Sequence, residues 1–282
     1  VSTPKIGVQL NPAFTSSIES GPHGITGVLR DIRDAGFDGV EGDLLFGGDY
    51  RKANAALDDL GLVQWSLHTG YRPGYEVDRE IEYLDALGGK FIVLSGVGVN
   101  EETAGLRPFE DAADILNRAG ERCRDAGLKF CYHNHGWEFR YVPGLPDTQP
   151  TSGIDRLMEL TGPTLVGFCI DVFWAKWGGR DPLELIQRYM DRLAFVHMKD
   201  LKYTGPEPRP EGVLSQLYPR LPLNGQAEYT ELGRGEVDLP GVWDLIASTN
   251  PEWLVYEQDE SALPPEESAT ISRRYLRERL KI

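Results

Sequence analysis

The chain has 282 residues, 40% hydrophobic and 26% charged, with a formal net charge of −15. That balance belongs to a globular protein with a sizeable core, and the acid excess argues against nucleic acid or an anionic membrane surface as a partner. No run is long and apolar enough to span a bilayer, the opening run is too short for a signal peptide, and three cysteines (Cys123, Cys131, Cys169) fit neither a zinc knuckle nor a disulfide framework. A reducing cytoplasm is the expected location.

In chain order, the first strand is expected at Lys5–Leu10. It is followed by Gln9-Leu10-Asn11-Pro12 rather than a glycine fingerprint, so no nucleotide cofactor is expected. A helical pattern at Ile25–Ala35 stops at Gly36, and a strand follows at Gly39–Gly42. Ala53–Leu60 reads as a helix ended by Gly61, and Val63–His68 as a strand. Glu80–Leu87 is helical up to Gly88-Gly89, ahead of a strand at Phe91–Ser95. Ala112–Ala126 is helical up to Gly127, ahead of a strand at Lys129–His133. Glycine just past a helix takes the left-handed conformation at little cost, which makes these stops physical signals. Further strands are expected at Val166–Ile170, Ala194–His197 and Trp253–Glu257, with a helix starting near Asp181-Pro182-Leu183.

Alternating strands and helices imply a parallel sheet with right-handed crossovers. Eight such units average about 35 residues, the size of a βαβ unit. Composition does not shift along the chain, so the expectation is an α/β fold: one (β/α)₈ barrel, a single domain over residues 1–282. Lys202–Gly235 is the exception, a long stretch with five prolines and no clear helix. At the C-terminal rim of a barrel it is expected to cover the site or contact another subunit.

Several of these strands end in groups that bind divalent cations. Asp171 follows Gly-Phe-Cys-Ile, His197 follows Ala-Phe-Val, Glu257 follows Trp-Leu-Val-Tyr, and His133-Asn134-His135 leads on to Glu138. A barrel gathers such ends on one rim, where carboxylates and an imidazole suit Mn²⁺, Mg²⁺, Co²⁺ or Zn²⁺. Each has a competing reading. Asp171 could cap a following helix, yet the next helical pattern starts only at Asp181, which has its own cap. Glu257 could begin a solvated acidic turn with Asp259 and Glu260. A lone strand-end histidine is commonly a satisfied polar group, but four of the five (His68, His133, His135, His197) fall at or just past strand ends.

Tyr132-His133-Asn134-His135-Gly136-Trp137-Glu138-Phe139, the Asp171 and His197-Met198-Lys199-Asp200 segments, and Leu232-Gly233-Arg234-Gly235-Glu236-Val237-Asp238 together resemble the sugar phosphate isomerase/epimerase superfamily. This is the xylose isomerase-like TIM-barrel group, which also holds inosose dehydratases and an apurinic endonuclease branch. The resemblance spans essentially the whole chain. It implies one divalent metal per chain held by Glu, Asp, His and Glu from strands five to eight, with the first and last carboxylates moving protons. Carried onto this sequence, the ligands are Glu138, Asp171, His197 and Glu257, and the proton carriers Glu138 and Glu257. The pattern departs at strand five, where His133 stands in the glutamate slot. Glu138, five positions on, is the first choice for the ligand, with His133 its rival.

His68, His135, Lys199, Trp174 and Arg234 are expected substrate contacts, along with Glu41 and Trp137 as weaker ones. A salt bridge is the alternative for Lys199, core packing for the tryptophans, and a turn capped by Asp238 for Gly233-Arg234-Gly235. The chemistry expected is deprotonation next to a carbonyl of a sugar or cyclitol through an enediolate. Isomerisation or epimerisation is the first expectation, and a dehydratase or lyase on a keto sugar or cyclitol, similar to inosose dehydratase, the alternative. The nuclease branch, with extra zinc-binding histidines, fits poorly, since Val172, Phe173 and Trp174 follow Asp171. The family's habits imply a homodimer or homotetramer.

Overall fold

A computed structural model of the protein describes residues 3–10, 14, 24–99, 105–139, 141–142, 151–205 and 227–282. Eight parallel strands close into a barrel: β1 (Lys5–Gln9), β2 (Gly39–Gly42), β3 (Val63–Gly70), β4 (Phe91–Ser95), β5 (Lys129–His133), β6 (Val166–Asp171), β7 (Leu193–Met198) and β8 (Trp253–Tyr256). β1 closes the ring by pairing with both β2 and β8. Helices at Gly24–Ala35, Tyr50–Leu60, Asp78–Ala86 and Arg107–Asp125 occupy the expected crossovers. Their stops behave as read: Gly36, Gly61, Gly88 and Gly127 all have positive φ.

The strands' period of two sorts the barrel interior into layers. Phe91 and Val93 on β4, Cys131 on β5, Cys169 on β6, Phe195 on β7, and Trp253 and Val255 on β8 form a buried apolar plug with Trp65. Trp65 stacks on Trp253 at 4.7 Å and meets Phe91 and Phe195 edge-on. Packing is tight enough that β2 needs glycine: a Cβ on Gly39 would stand 2.5 Å from the Val63 carbonyl oxygen. Two residues further along the same faces come Ser95, His133, Asp171, His197 and Glu257. The plug is thus the floor under the polar groups, and one parity argument places both.

Three features differ from the sequence expectations. A short helix, Val172–Trp177, begins immediately after β6, and the side chain of Asp171 caps it by accepting from Trp174 N at 2.8 Å. Five of its six residues are buried, so its sequence is apolar on every side and shows no helical period. Second, the stretch after β7 contains a strand, Asp200–Tyr203, paired antiparallel with Ala227–Thr230. The subunit-contacting or covering role expected of residues 202–235 falls largely on 206–226, outside the described residues. Third, helices at Gly153–Leu160, Leu239–Ala247 and Pro265–Tyr275 complete the outer layer. None of the described helices is long and apolar enough to cross a membrane.

Candidate metal centre

At the C-terminal mouth, one ligand-type atom from each of His133, Asp171, His197 and Glu257 lies within 4.8 Å of the others. These residues come from the ends of β5, β6, β7 and β8, four neighbours in the ring. A second set, His68, His133 and His197, meets the same criterion. Apart from His68, which is partly covered, all of these side chains are buried.

Glu138 stands outside both sets. A 3-10 turn at Trp137–Phe139 rotates it into the wall, where its carboxyl accepts hydrogen bonds from Tyr132 Oη and His135 N. Tyr132 in turn accepts from Val97 N at 3.0 Å. Burial pushes the Glu138 carboxyl well above the usual glutamate range, only partly offset by these two donors. The five-residue spacing from β5 therefore lets Glu138 fold back onto its own strand and not into the mouth. The imidazole of the rival, His133, takes the strand-five place. Burial and the neighbouring His197 and His68 hold His133 well below the ordinary histidine range, which leaves it neutral with a lone pair to give.

The remaining members are ordered by charge. Burial opposes ionisation of Glu257, but Lys199, with Nζ at 3.0 Å, and His197, which donates to it through Nδ1, hold it well below 4.5. His197 Nε2 lies 3.0 Å from Glu41 Oε1, near enough for charge attraction but not aligned as a hydrogen bond. Burial works against a proton on His197, yet Cys169, Glu41 and Glu257 around it raise the imidazole well above its ordinary range. Burial also opposes ionisation of Glu41, and His197 and His68 outweigh it, holding that carboxyl at about 2. Burial raises Asp171 to about 7, against the pull of Lys199.

Lys199 is completely buried. Its ammonium sits 2.7 Å from Asp259, 3.0 Å from Glu257 and 3.5 Å from Asp171, and 4.9–5.4 Å from the rings of Phe173, Trp174 and Tyr229. The salt-bridge alternative thus describes its contacts better than substrate binding does. Asp259, read from sequence as part of a solvated turn, is the residue sequence reasoning missed; its two-residue spacing from Glu257 was the available signal.

A cleft of about 440 Å³ opens on this cluster, lined among others by His68, His133, His135, Trp174, Glu257 and Asp259. His135 Nδ1 and Trp174 Nε1 on its wall are buried without hydrogen-bond partners among the described residues. His135 stacks on Trp137 at 4.3 Å, and Trp137 donates to Val97 O, so Trp137 backs the wall. Arg234 is not among the lining residues; it pairs with Glu231 at 2.9 Å. The N–H groups of Gly233 and Gly235 are directed at the Asp200 carboxylate, at 2.9 and 3.0 Å, and Asp238 caps the next helix. The capped-turn alternative accounts for that segment.

These residues fit a divalent ion. Asp171 Oδ2 is buried with no hydrogen bond, its nearest charge the Lys199 ammonium 3.5 Å away, so it keeps lone pairs with which to hold an ion. Two carboxylates and two imidazoles supply the mixed oxygen and nitrogen donors that borderline divalent ions take.

A model of the xylose isomerase-like TIM barrel family matches residues 29–279. Among curated proteins, the chain is similar to an inosose dehydratase of Clostridium botulinum (strain Alaska E43 / Type E3), 28% identical across 90% of this chain and 89% of that one. It is also similar to an inosose dehydratase of Clostridium tetani (strain Massachusetts / E88), 30% identical across 90% and 89%. Among solved structures, a sugar phosphate isomerase/epimerase from Parabacteroides distasonis superposes with a TM-score of 0.74 at 20% identity, covering 98% of this chain and 94% of that one. A 3-keto-D-glucoside 4-epimerase from E. coli gives 0.66 at 18% identity, covering 98% and 99%. At those identities the structural likeness speaks for the fold alone.

Proposed function

This chain belongs to the xylose isomerase-like TIM barrel family, and within that family we propose that it is a divalent-metal-dependent dehydratase acting on a keto cyclitol or keto sugar. The observation that carries the reading is the convergence of His133, Asp171, His197 and Glu257 around a buried carboxylate oxygen that has no hydrogen bond, in a chain similar over 90% of its length to inosose dehydratases. Isomerisation or epimerisation, the first expectation from sequence, yields to dehydration, the reading that the curated relatives support.

A divalent ion held by these four residues would draw electrons from a bound carbonyl and adjacent hydroxyl, acidifying the neighbouring C–H. Glu257 lines the cleft and is kept ionised by Lys199 and His197, which suits it to receive that proton. As the C–H electrons form the double bond, the hydroxyl on the next carbon departs, taking the proton that Glu257 has received and leaving as water. In this reading His135 and Trp174, which line the cleft, would contact the substrate. Glu138, tied to Tyr132 and His135, has no part in the proton transfers.

The test is incubation of metal-loaded protein with a panel of inososes and keto sugars in heavy water, followed by mass spectrometry. Loss of one water from a substrate that also exchanges its C–H supports the proposal. A product that keeps every oxygen and gains only deuterium supports the isomerase or epimerase reading instead. No exchange with any substrate, despite bound metal, would overturn both.

A further inference from the structure

Asn134, between the two histidines of His133-Asn134-His135, is fully buried and has no role in the chemistry above. Its side-chain amide spans from β5 to β6. Nδ2 donates to the Asp171 carbonyl at 3.1 Å, and Oδ1 accepts from Asp171 N at 3.0 Å. Main-chain pairing of these strands ends at His133 opposite Cys169. The amide reproduces one more rung of the ladder at the point where the backbone stops supplying it.

We propose that Asn134 is a positioning residue that fixes Asp171 relative to His133 and so sets the geometry of the metal site. This rests on the metal-dependent reading proposed above. The backbone of Asp171 is clamped by Asn134, and its Oδ1 is spent on capping Trp174 N at 2.8 Å. With both of those fixed, Oδ2 is held without a hydrogen bond between His133 Nε2 at 4.0 Å and Lys199 Nζ at 3.5 Å. On the other side of the same turn, His135 N is held by Glu138. Asn134 and Glu138, just past β5, thus hold Asp171 on the next strand end and His135 on this one. Groups that orient ligands in this way are worth about 10–100-fold in metal affinity.

The experiment compares wild type, Asn134→Ala and Tyr83→Phe as full chains stripped by chelator. Tyr83 is a buried residue whose hydroxyl bonds Gln64 and Leu45 N and none of the four candidate ligands, so its variant loses comparable buried hydrogen bonds without altering a ligand's own partners. Cobalt(II) is titrated, with affinity and the visible absorption spectrum recorded, and exchange of the Asp171 amide hydrogen is followed by mass spectrometry without metal. Asn134→Ala is expected to bind cobalt at least about tenfold more weakly, with an altered spectrum and faster Asp171 exchange, while Tyr83→Phe keeps the wild-type affinity and spectrum. Wild-type affinity and spectrum in Asn134→Ala, or an equal loss in Tyr83→Phe, would overturn the proposal. If wild type itself binds no cobalt, the metal-dependent reading fails, and unchanged Asp171 exchange in Asn134→Ala would separately remove the clamp.

Discussion

Replacing Lys199 by Met tests the electrostatics of the mouth directly, because Met keeps most of the side chain's volume and removes only the charge. The ammonium stands within 3.5 Å of three carboxylates, and both it and Asp171 are completely buried. Removing one partner of a buried ion pair costs about 3–5 kcal/mol, because the charge left behind has no compensation. The entropy of unfolding for a chain of this length is roughly 0.6 kcal/mol/K, so the expected loss is about 5–8 °C in melting temperature. The sign with pH is fixed. Without Lys199, burial is left to raise the carboxyls of Asp171 and Asp259 further above their unfolded values, while His197 still holds Glu257 down. Stability is then fully present below those unfolded values and is lost as pH rises through the folded ones. The deficit relative to wild type should grow as pH rises from 5 to 8, and a saturating divalent ion should recover part of it at pH 8. Calorimetric melts at both pH values, with and without cobalt(II), measure all three effects. A variant as stable as wild type at pH 8, or a deficit equal at the two pH values, would refute the reasoning.

Glu138→Gln should gain stability relative to wild type as pH rises from about 5 to 8. Burial holds the native carboxyl above 4.5, so wild type loses stability across that window as its unfolded state ionises, and the amide does not; urea titrations at the two ends would show a constant difference if this is wrong. His133→Glu should move metal preference toward magnesium over cobalt by roughly tenfold or more, since it exchanges an imidazole for a hard oxygen donor. Competition titrations that leave the ratio unchanged would place His133 outside the metal's reach.

Much of this was legible in the sequence because strand parity is a strict rule. Phe195 then His197, and Val255 then Glu257, put an apolar floor and a polar layer on one face, and the apolar runs ending in Asp171, His197 and Glu257 could be read as barrel strands. What was not legible depended on packing. Val172–Trp177 carries no helical period because nearly all of it is buried. Asp200–Tyr203 pairs with a segment more than twenty residues on, and nothing local marks the partner. Glu138 could have turned either way after Gly136, and only the position of Tyr132 Oη on the preceding strand shows which way it goes.

The case of Asp171 shows why two competing readings of a residue need not exclude each other. From sequence, helix cap and metal ligand were alternatives, and the apparent absence of a helix before Asp181 favoured the ligand. The helix is present, and Asp171 caps it. A carboxylate, however, has two oxygens, each able to accept on its own. Oδ1 takes the Trp174 N–H and Oδ2 is left without a hydrogen bond, beside Lys199 and His133. The cap strengthens the case for the ligand, because a carboxylate fixed through one oxygen gives up less conformational entropy when the other is bound. The same holds for His133-Asn134-His135: Asn134, the one member that lines nothing, is the one that locks β5 to β6. In this barrel the residues that end strands bring the donors, and the hydrogen bonds just beyond the strand ends determine where those donors point.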